Sequence, residues 1–460
     1  MTQRVVVVGG GITGLAVAHR LKGRAEVMVI ESAERPGGKF DTIDLDGITF
    51  ERGPDSFVAR EQFVPRLAEE VGLGGQLVAP AIFGAQIWSG GKLKRVPGDF
   101  VFGMPGSPLA ALRSGMLTPF GALRAGADLA LPGPLTGPDV SVGEFVRRRF
   151  GNEVLEKLVD PLLAGTRAGR ADEISLAAAV PQIDALARAN RSLVRGLTRA
   201  RRRGHTAAGP PPFLAPRAGM RSLIEALEDD LAGTVQLRTS ATVTRIERAG
   251  DGYSVHLDGV AVEAVEAGTV VLAVPAYSVA DILRDLNPQA SGELARIPYA
   301  TAATAALVFP PGSLTIPSGV SGMLVPSGEH RTLAAATWFS SKWPHLAPSD
   351  GRIVVKAFAG RAAGDATSKL DDERLVAALV NDLGAAMGVN AAPLATHLTR
   401  WERALPQYEV GHLVRVERVE AALRATPGIM LAGAAYRGSG ISDCVKSAER
   451  AAQQVLHAAG

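Results

Sequence analysis

Apolar residues first occur as an unbroken run, Val5 to Val8, which reads as a short buried strand. Leu15 to Leu21 reads as a helix, and Val27 to Ile30 as a second apolar strand. Strand, helix and strand in this order form a βαβ unit. Ile48 to Phe50 reads as a further strand, and residues 57–78 as an amphipathic helix with Phe63, Leu67 and Val71 on one face. Ile87 to Arg95 reads as a hairpin turning at Gly90-Gly91. Residues 98–210 carry helical pieces (Leu109 to Arg113, Phe120 to Leu131, Val142 to Phe150, Val154 to Leu163) and no strand pattern. A helix from about Gly219 to Leu231 follows. Then come strands at Val235 to Leu237, Thr242 to Ile246, Tyr253 to Leu257 and Val270 to Ala273. Thr301 to Phe309, Thr332 to Trp338 and Arg352 to Phe358 are strand candidates, and Arg374 to Met387 is a helix. The chain closes with a strand, Ile429 to Ala432, and a helix, Val445 to His457. The fold class expected is α/β, α+β over the whole chain.

The turn between the first strand and helix narrows the chemistry. Gly9-Gly10-Gly11-Ile12-Thr13-Gly14 fits G-x-G-x-x-G in the strand-to-helix context that a dinucleotide needs. Gly9 permits the tight turn, Gly11 lets a pyrophosphate approach the backbone, and Gly14 lets the helix pack on the strand. The helix N-terminus then holds the phosphates. Glu31 ends the second strand 17 residues past Gly14 and can accept hydrogen bonds from both ribose hydroxyls. A second glycine-rich turn, Gly433 to Cys444, precedes the last helix, with Ser442 or Asp443 as its expected N-cap. Cys444 beside that N-terminus has two readings, a low-pKa thiol or packing.

Composition adds mostly exclusions. The 460 residues suit two or three domains. With 49 basic and 46 acidic residues the net charge is +3, which does not suggest a nucleic-acid binder. The single cysteine allows no internal disulfide and no cysteine-based metal site. The chain opens directly on a strand, so no signal peptide is expected and the expected compartment is the cytoplasm. The longest uncharged run, Ile297 to Gly328, is broken by five prolines and reads as a strand and turns rather than a membrane span. Arg188, Arg191, Arg195, Arg199 and Arg202 recur at helical spacing. This is either a solvated face or a basic stripe for anionic lipid, a partner protein or a polycarboxylate substrate.

Three segments carry a family resemblance. Glu31-Ser32-Ala33-Glu34-Arg35-Pro36-Gly37-Gly38-Lys39 resembles the extension after the second strand in the FAD-dependent amine oxidase and protoporphyrinogen oxidase superfamily. Gly53-Pro54-Asp55-Ser56 resembles its loop beneath the isoalloxazine, and Gly433 to Cys444 its flavin-binding turn. The resemblance implies non-covalent FAD. Its contacts would be Gly9 to Gly14, Glu31, Ser32, Arg35, Gly37, Gly38, Lys39, Gly53 to Ser56, Trp401, and Gly433, Gly440, Ile441, Ser442 and Asp443. The strand holding Val243 would meet the adenine. It implies a Rossmann-like two-dinucleotide-binding-domain FAD domain over 1–78, 214–276 and 426–460. A sheet-containing substrate domain over 79–97 and 277–425, and a helical domain over 98–213, complete it.

Narrower pieces, Lys342-Trp343-Pro344-His345, Pro406-Gln407-Tyr408 and Val410-Gly411-His412, are similar to the bacterial porphyrinogen oxidases. They are most like the Gram-positive-type coproporphyrinogen III oxidases. That branch implies six-electron oxidation of a porphyrinogen with oxygen as acceptor and three hydrogen peroxide as by-product. Arg60 and Arg167 are the candidate propionate partners, and Arg60 and His412 the candidate catalytic residues, His412 with structural hydrogen bonding as its other reading. The alternatives are protoporphyrinogen IX as substrate, another amine oxidase or desaturase, and a non-enzymatic flavoprotein that docks a haem-pathway enzyme. Peripheral membrane contact is a further expectation.

Overall fold

The computed structural model describes residues 3–458 apart from 97–99, 114, 132, 205–210, 260–262, 361–368 and 389–390. A five-stranded parallel sheet sits at the centre, in the order Gln236–Arg238, Glu26–Ile30, Arg4–Val8, Thr269–Leu272, Ile429–Leu431. Val8 stands in register with Ile30 on one side and Leu272 on the other, so the strands end together at one edge. Val5, Val6 and Val7 are fully buried because both faces of this sheet are covered. One face carries the helices Ile12–Leu21, Arg221–Leu231 and Ile441–Ala458; the other carries an antiparallel sheet of Ala241–Ala249, Gly252–Gly259 and Glu263–Ala267. Chain segments far apart in sequence therefore build one α/β unit.

A seven-stranded sheet stands beside it, ordered Ala395–Pro406, Tyr299–Phe309, Ile353–Ala359, Leu333–Thr337, Gly322–Leu324, Ala85–Ser89, Lys92–Arg95. Its pairings are antiparallel except Gly322–Leu324 with Ala85–Ser89. The hairpin turns at Gly90 and Gly91, both at positive φ (61° and 73°), as the Gly-Gly pair predicts. Residues 108–204 are mostly helical around a separate core that includes Phe145, Phe150, Leu158, Ile183 and Leu197.

Several expectations need correction. The helix expected over 57–78 is only Phe63–Glu70, flanked by strands Phe57–Val58 and Leu77–Val78. Gly72 at φ 82° and the turn Gly74–Gln76 stop it. The helical insert does contain strands, Phe100–Val101 paired with Met104–Pro105. The last helix begins at Ile441, so Ser442 and Asp443 lie inside its first turn rather than capping it. Asp443 instead reaches back to accept from the Gly440 N–H at 3.2 Å, the returning half of a capping box. The arginine stripe is split between two helices, Pro181–Ala189 and Leu193–Gly204. Arg188 pairs with Asp184 at 2.8 Å, and Arg191, Arg195 and Arg199 are exposed. Among the described residues no helix is long and apolar enough to cross a membrane.

Candidate functional site

The first segment is the turn after strand Arg4–Val8. Gly9 has φ 103°, which strongly favours glycine. A Cβ on Gly14 would lie 1.8 Å from the Gly9 carbonyl oxygen, so only glycine lets the helix approach this closely. A Cβ on Gly11 would meet nothing within 4 Å. Gly11 is the N-cap of the helix Ile12–Leu21, and the first N–H groups of a helix have no intrahelical acceptor. The turn therefore presents free donors and a positive dipole end to an open space, the chemistry of a phosphate cradle.

The second segment folds back onto the first. The Gly37 N–H donates to the Gly10 carbonyl at 2.8 Å, and Gly37 and Gly11 form a parallel bridge. The Glu31 carboxylate accepts from the Gly10 N–H at 2.6 Å and the Ala33 N–H at 2.9 Å. These bonds fix it at the strand end beside the phosphate turn. Ser32 hydroxyl leans on the same carboxylate, at 3.2 Å. Arg35 is exposed and pairs with Asp41 at 2.9 Å. Gly38 and Lys39 are exposed at the rim. Val243 lies on the strand Ala241–Ala249, an edge strand whose ladder is interrupted at Thr244, so backbone groups there are unpaired in the sheet.

The third segment is Gly53-Pro54-Asp55-Ser56. A Cβ on Gly53 would lie 1.9 Å from the Lys39 carbonyl and 3.7 Å from the Trp401 ring, so this loop packs directly on the second segment. Trp401 Nε1 and Thr304 Oγ1 both donate to the Arg52 carbonyl, at 3.3 and 2.8 Å. Asp55 turns inward. It accepts from Lys342 Nζ at 2.9 Å and from Trp343 Nε1 at 3.2 Å. Although burial opposes its ionised form, the two lysines Lys342 and Lys356 outweigh that and bring its pKa down to about 2.

The fourth segment, Gly433 to Asp443, packs against the first and reaches the strand after the third. Gly433 has φ 118° and stands against Thr13 of the first segment. Ser442 donates to the Val58 carbonyl at 2.8 Å, tying this turn to the strand after the third segment. Tyr408 hydroxyl donates to the Ala434 carbonyl at 2.6 Å and accepts from the Gly438 N–H at 3.0 Å. His412 stacks on the Tyr408 ring, centroids 4.0 Å apart, and its Nε2 is 2.9 Å from the Tyr436 carbonyl. Burial pushes the His412 pKa down to about 4, so the imidazole is neutral and Nε2 donates that bond. His412 is buried, and both contacts are with the protein itself. Cys444 is no low-pKa thiol: burial raises it to about 11.

The two candidate propionate partners separate. Arg60 is exposed and pairs with no other described residue. Arg167 gives its guanidinium to the protein, to Ser439 Oγ at 2.8 Å and the Ala179 carbonyl at 3.0 Å. Sequence reasoning missed Tyr408, Ser439, Lys342 and Trp343 as site residues. A signal existed for three of them, since they lie in the narrow segments Pro406 to His412 and Lys342 to His345.

A dinucleotide fits the first cradle on these observations: open space at Gly11, free helix N–H groups and an acid at the second strand end. Among the described residues no cluster of histidine, cysteine or acid side chains could hold a metal ion.

Comparison with known proteins points the same way. The chain is 34% identical to the coproporphyrinogen III oxidase of Bacillus subtilis (strain 168), over 99% of this chain and 98% of that one. It is 30% identical to the chloroplastic protoporphyrinogen oxidase of Oryza sativa subsp. japonica, over 98% of this chain and 87% of that one. Among solved structures, a candidate protoporphyrinogen oxidase from Exiguobacterium sp. 255-15 superposes with a TM-score of 0.88 at 33% identity, over 100% and 99% of the two chains. Putrescine oxidase shares the fold, with a TM-score of 0.70 at 19% identity over 99% of each chain. The model of the flavin containing amine oxidoreductases matches residues 12–456. The chain belongs to the flavin-containing amine oxidoreductase family.

Proposed function

We propose that this chain is an FAD-dependent oxidase that converts coproporphyrinogen III to coproporphyrin III, with oxygen as the electron acceptor. The observation that carries the reading is where the narrow family segments act. Lys342 and Trp343 hold Asp55 of the third segment, and Tyr408 and His412 hold the backbone of the fourth. The pieces most similar to the porphyrinogen oxidases are therefore braces of the cofactor cleft itself.

FAD would lie with its diphosphate at Gly11 to Gly14, its ribose at Glu31, its adenine beside the Val243 strand edge and its ring over Gly53 to Ser56. When bound, the flavin supplies the hydride acceptor and its reoxidation by oxygen gives peroxide. The chain's residues have a different task. The braced loops keep the cleft rigid, and the fourth segment brings the N-terminus of the helix Ile441–Ala458 to the site, where its dipole favours added negative charge. We take binding to be non-covalent: Cys444, the single cysteine, is buried in the core, which removes the cysteinyl link. Formation of an aromatic porphyrin drives the reaction, so no acid–base dyad is required. Arg60, with its guanidinium uncommitted two residues past Val58, is the propionate partner.

Peripheral contact with an anionic membrane belongs to the same proposal. Phe120 and Leu123 are 78% and 74% exposed on one face of the helix Pro119–Gly126, and Leu109 and Leu112 are exposed on the helix packed beside it. Arg195 and Arg199 are exposed on the helix Leu193–Gly204, Arg199 donating to Asn190 Oδ1 at 3.2 Å, and Thr198 Oγ1 ties that helix to the Gly106 carbonyl at 3.3 Å. Exposed apolar and basic side chains on one helical unit suit an anionic lipid surface.

The test is anaerobic. Adding coproporphyrinogen III to the FAD-loaded protein without oxygen is expected to bleach the flavin absorbance near its visible maximum. Persistence of the oxidised spectrum through many minutes would sink the proposal.

A further inference from the structure

The third cofactor segment stands on a buried lysine. Lys356, in the strand Ile353–Ala359, is 1% exposed. Its ammonium donates to the Gly53 carbonyl and lies 5.6 Å from the Phe50 ring centroid and 5.5 Å from that of Phe358. The charged groups facing it are Glu51 from the strand Ile48–Glu51, Asp55 from the loop and Lys342 from the helix Phe339–Lys342.

Neither carboxylate depends on Lys356 for a partner. Asp55 already has Lys342 and Trp343. Glu51 has the Thr42 hydroxyl at 3.0 Å and the Met220 N–H at 2.7 Å. The hydrogen bond of Lys356 goes to the loop backbone instead. An ammonium buried here carries a large desolvation penalty, which an apolar strand residue would avoid. The arrangement also sets the loop's orientation. The Arg52 and Gly53 carbonyls are both held from the protein side, by Thr304 and Trp401 and by Lys356. The Arg52–Gly53 peptide is trans, so the Gly53 N–H points away from Thr304 and Trp401, the partners of the Arg52 carbonyl.

We propose that Lys356 is a positioning residue of the cofactor site, whose charge behind the Gly53 carbonyl fixes the loop 53–56 and favours the reduced, more negative form of the bound flavin. This rests on the reading of the cleft as an FAD site. Burial pushes Lys356 down to about 8 and Glu51 up to about 7, so the cluster stays cationic near neutrality: Asp55 offsets one lysine and Glu51 only part of the other.

Two readouts without porphyrinogen test it: FAD titration of the apo-protein by fluorescence quenching, and the reduction potential of the bound flavin against a reference dye. Lys356→Met is expected to weaken FAD binding at least tenfold. It should also lower the preference for reduced over oxidised flavin about tenfold, roughly 30 mV for a two-electron couple. Lys356→Arg should restore most of the potential. Wild-type FAD affinity and potential in Lys356→Met would overturn the proposal, whatever happens to its melting temperature. If that variant does not fold, Glu51→Gln serves in its place. It removes a negative charge from the cluster and should raise the potential at pH 8; an unchanged potential there overturns the proposal. The oxidase reading survives either failure, whereas a wild-type chain that binds no FAD would refute both.

Discussion

Gly11 and Gly14 lie three residues apart and should fail in opposite ways. At Gly11 the backbone has φ −74° and ψ 178°, which alanine adopts without strain, and the added Cβ meets nothing within 4 Å. Gly11→Ala restricts the unfolded chain, a gain of about 0.4–1 kcal/mol. It also places alanine at an N-cap, a loss of about the same size. The apo-protein should therefore keep its stability to within about 1 kcal/mol. The methyl would instead occupy the space the pyrophosphate needs. Losing one or two charge-assisted hydrogen bonds, about 1.5–3 kcal/mol each, weakens FAD binding roughly 10-fold to more than 1,000-fold. At Gly14 the Cβ would lie 1.8 Å from the Gly9 carbonyl oxygen. The helix must move by more than 1 Å, roughly the shift needed to restore an ordinary contact, at a cost of about 3 kcal/mol or more. Gly14→Ala should lose both apo-stability and FAD. Urea denaturation of the apo-proteins and FAD titration separate the two. If Gly11→Ala bound FAD with wild-type affinity, the phosphate cradle would be misplaced.

Other consequences follow from the clamp, from burial and from the exposed face. Tyr408→Phe removes the hydroxyl shared by Ala434 and Gly438 and should destabilise the protein by about 1–3 kcal/mol, read by denaturant midpoint. His412 has a folded pKa of about 4, below its unfolded value of 6.5, so the unfolded chain binds the extra proton between these pH values. Stability should thus fall as pH drops from 6.5 toward 4, by on the order of 3 kcal/mol, and His412→Gln should flatten that slope in denaturation measured across the window. Phe120→Ser with Leu123→Ser should reduce co-sedimentation with anionic vesicles roughly 100-fold, the loss of about 3 kcal/mol of apolar burial, while leaving FAD binding intact. Equal sedimentation of wild type and variant would remove the lipid contact from the proposal.

The opening βαβ unit was legible because its signals are local: a fully buried strand, glycines at fixed offsets and an acid at the next strand end. The seven-stranded sheet was less so. In Ala395–Pro406 only Ala404 and Pro406 are buried, so no apolar period marks the strand. The false helix over 57–78 had the right apolar spacing at Phe63 and Leu67, but its ends were decided by Gly72 and by pairing with Phe213–Pro216. The Tyr408 and Arg167 contacts with residues 434–439 cross 26 to 272 positions in sequence, and only tertiary structure creates them. Lys356 was invisible for another reason. A single lysine in an apolar strand reads as a solvent-facing residue, and its burial depends on the loop carbonyl and carboxylates it meets.

One aerobic assay decides the substrate. Purified protein with FAD is given coproporphyrinogen III and protoporphyrinogen IX separately, and porphyrin fluorescence is followed with peroxide release against an autoxidation blank. Faster porphyrin formation from coproporphyrinogen III, with three peroxide per porphyrin, is the expected result. Fluorescence no greater than the blank with either compound would contradict a porphyrinogen oxidase, and a preference for protoporphyrinogen IX would contradict the substrate proposed here.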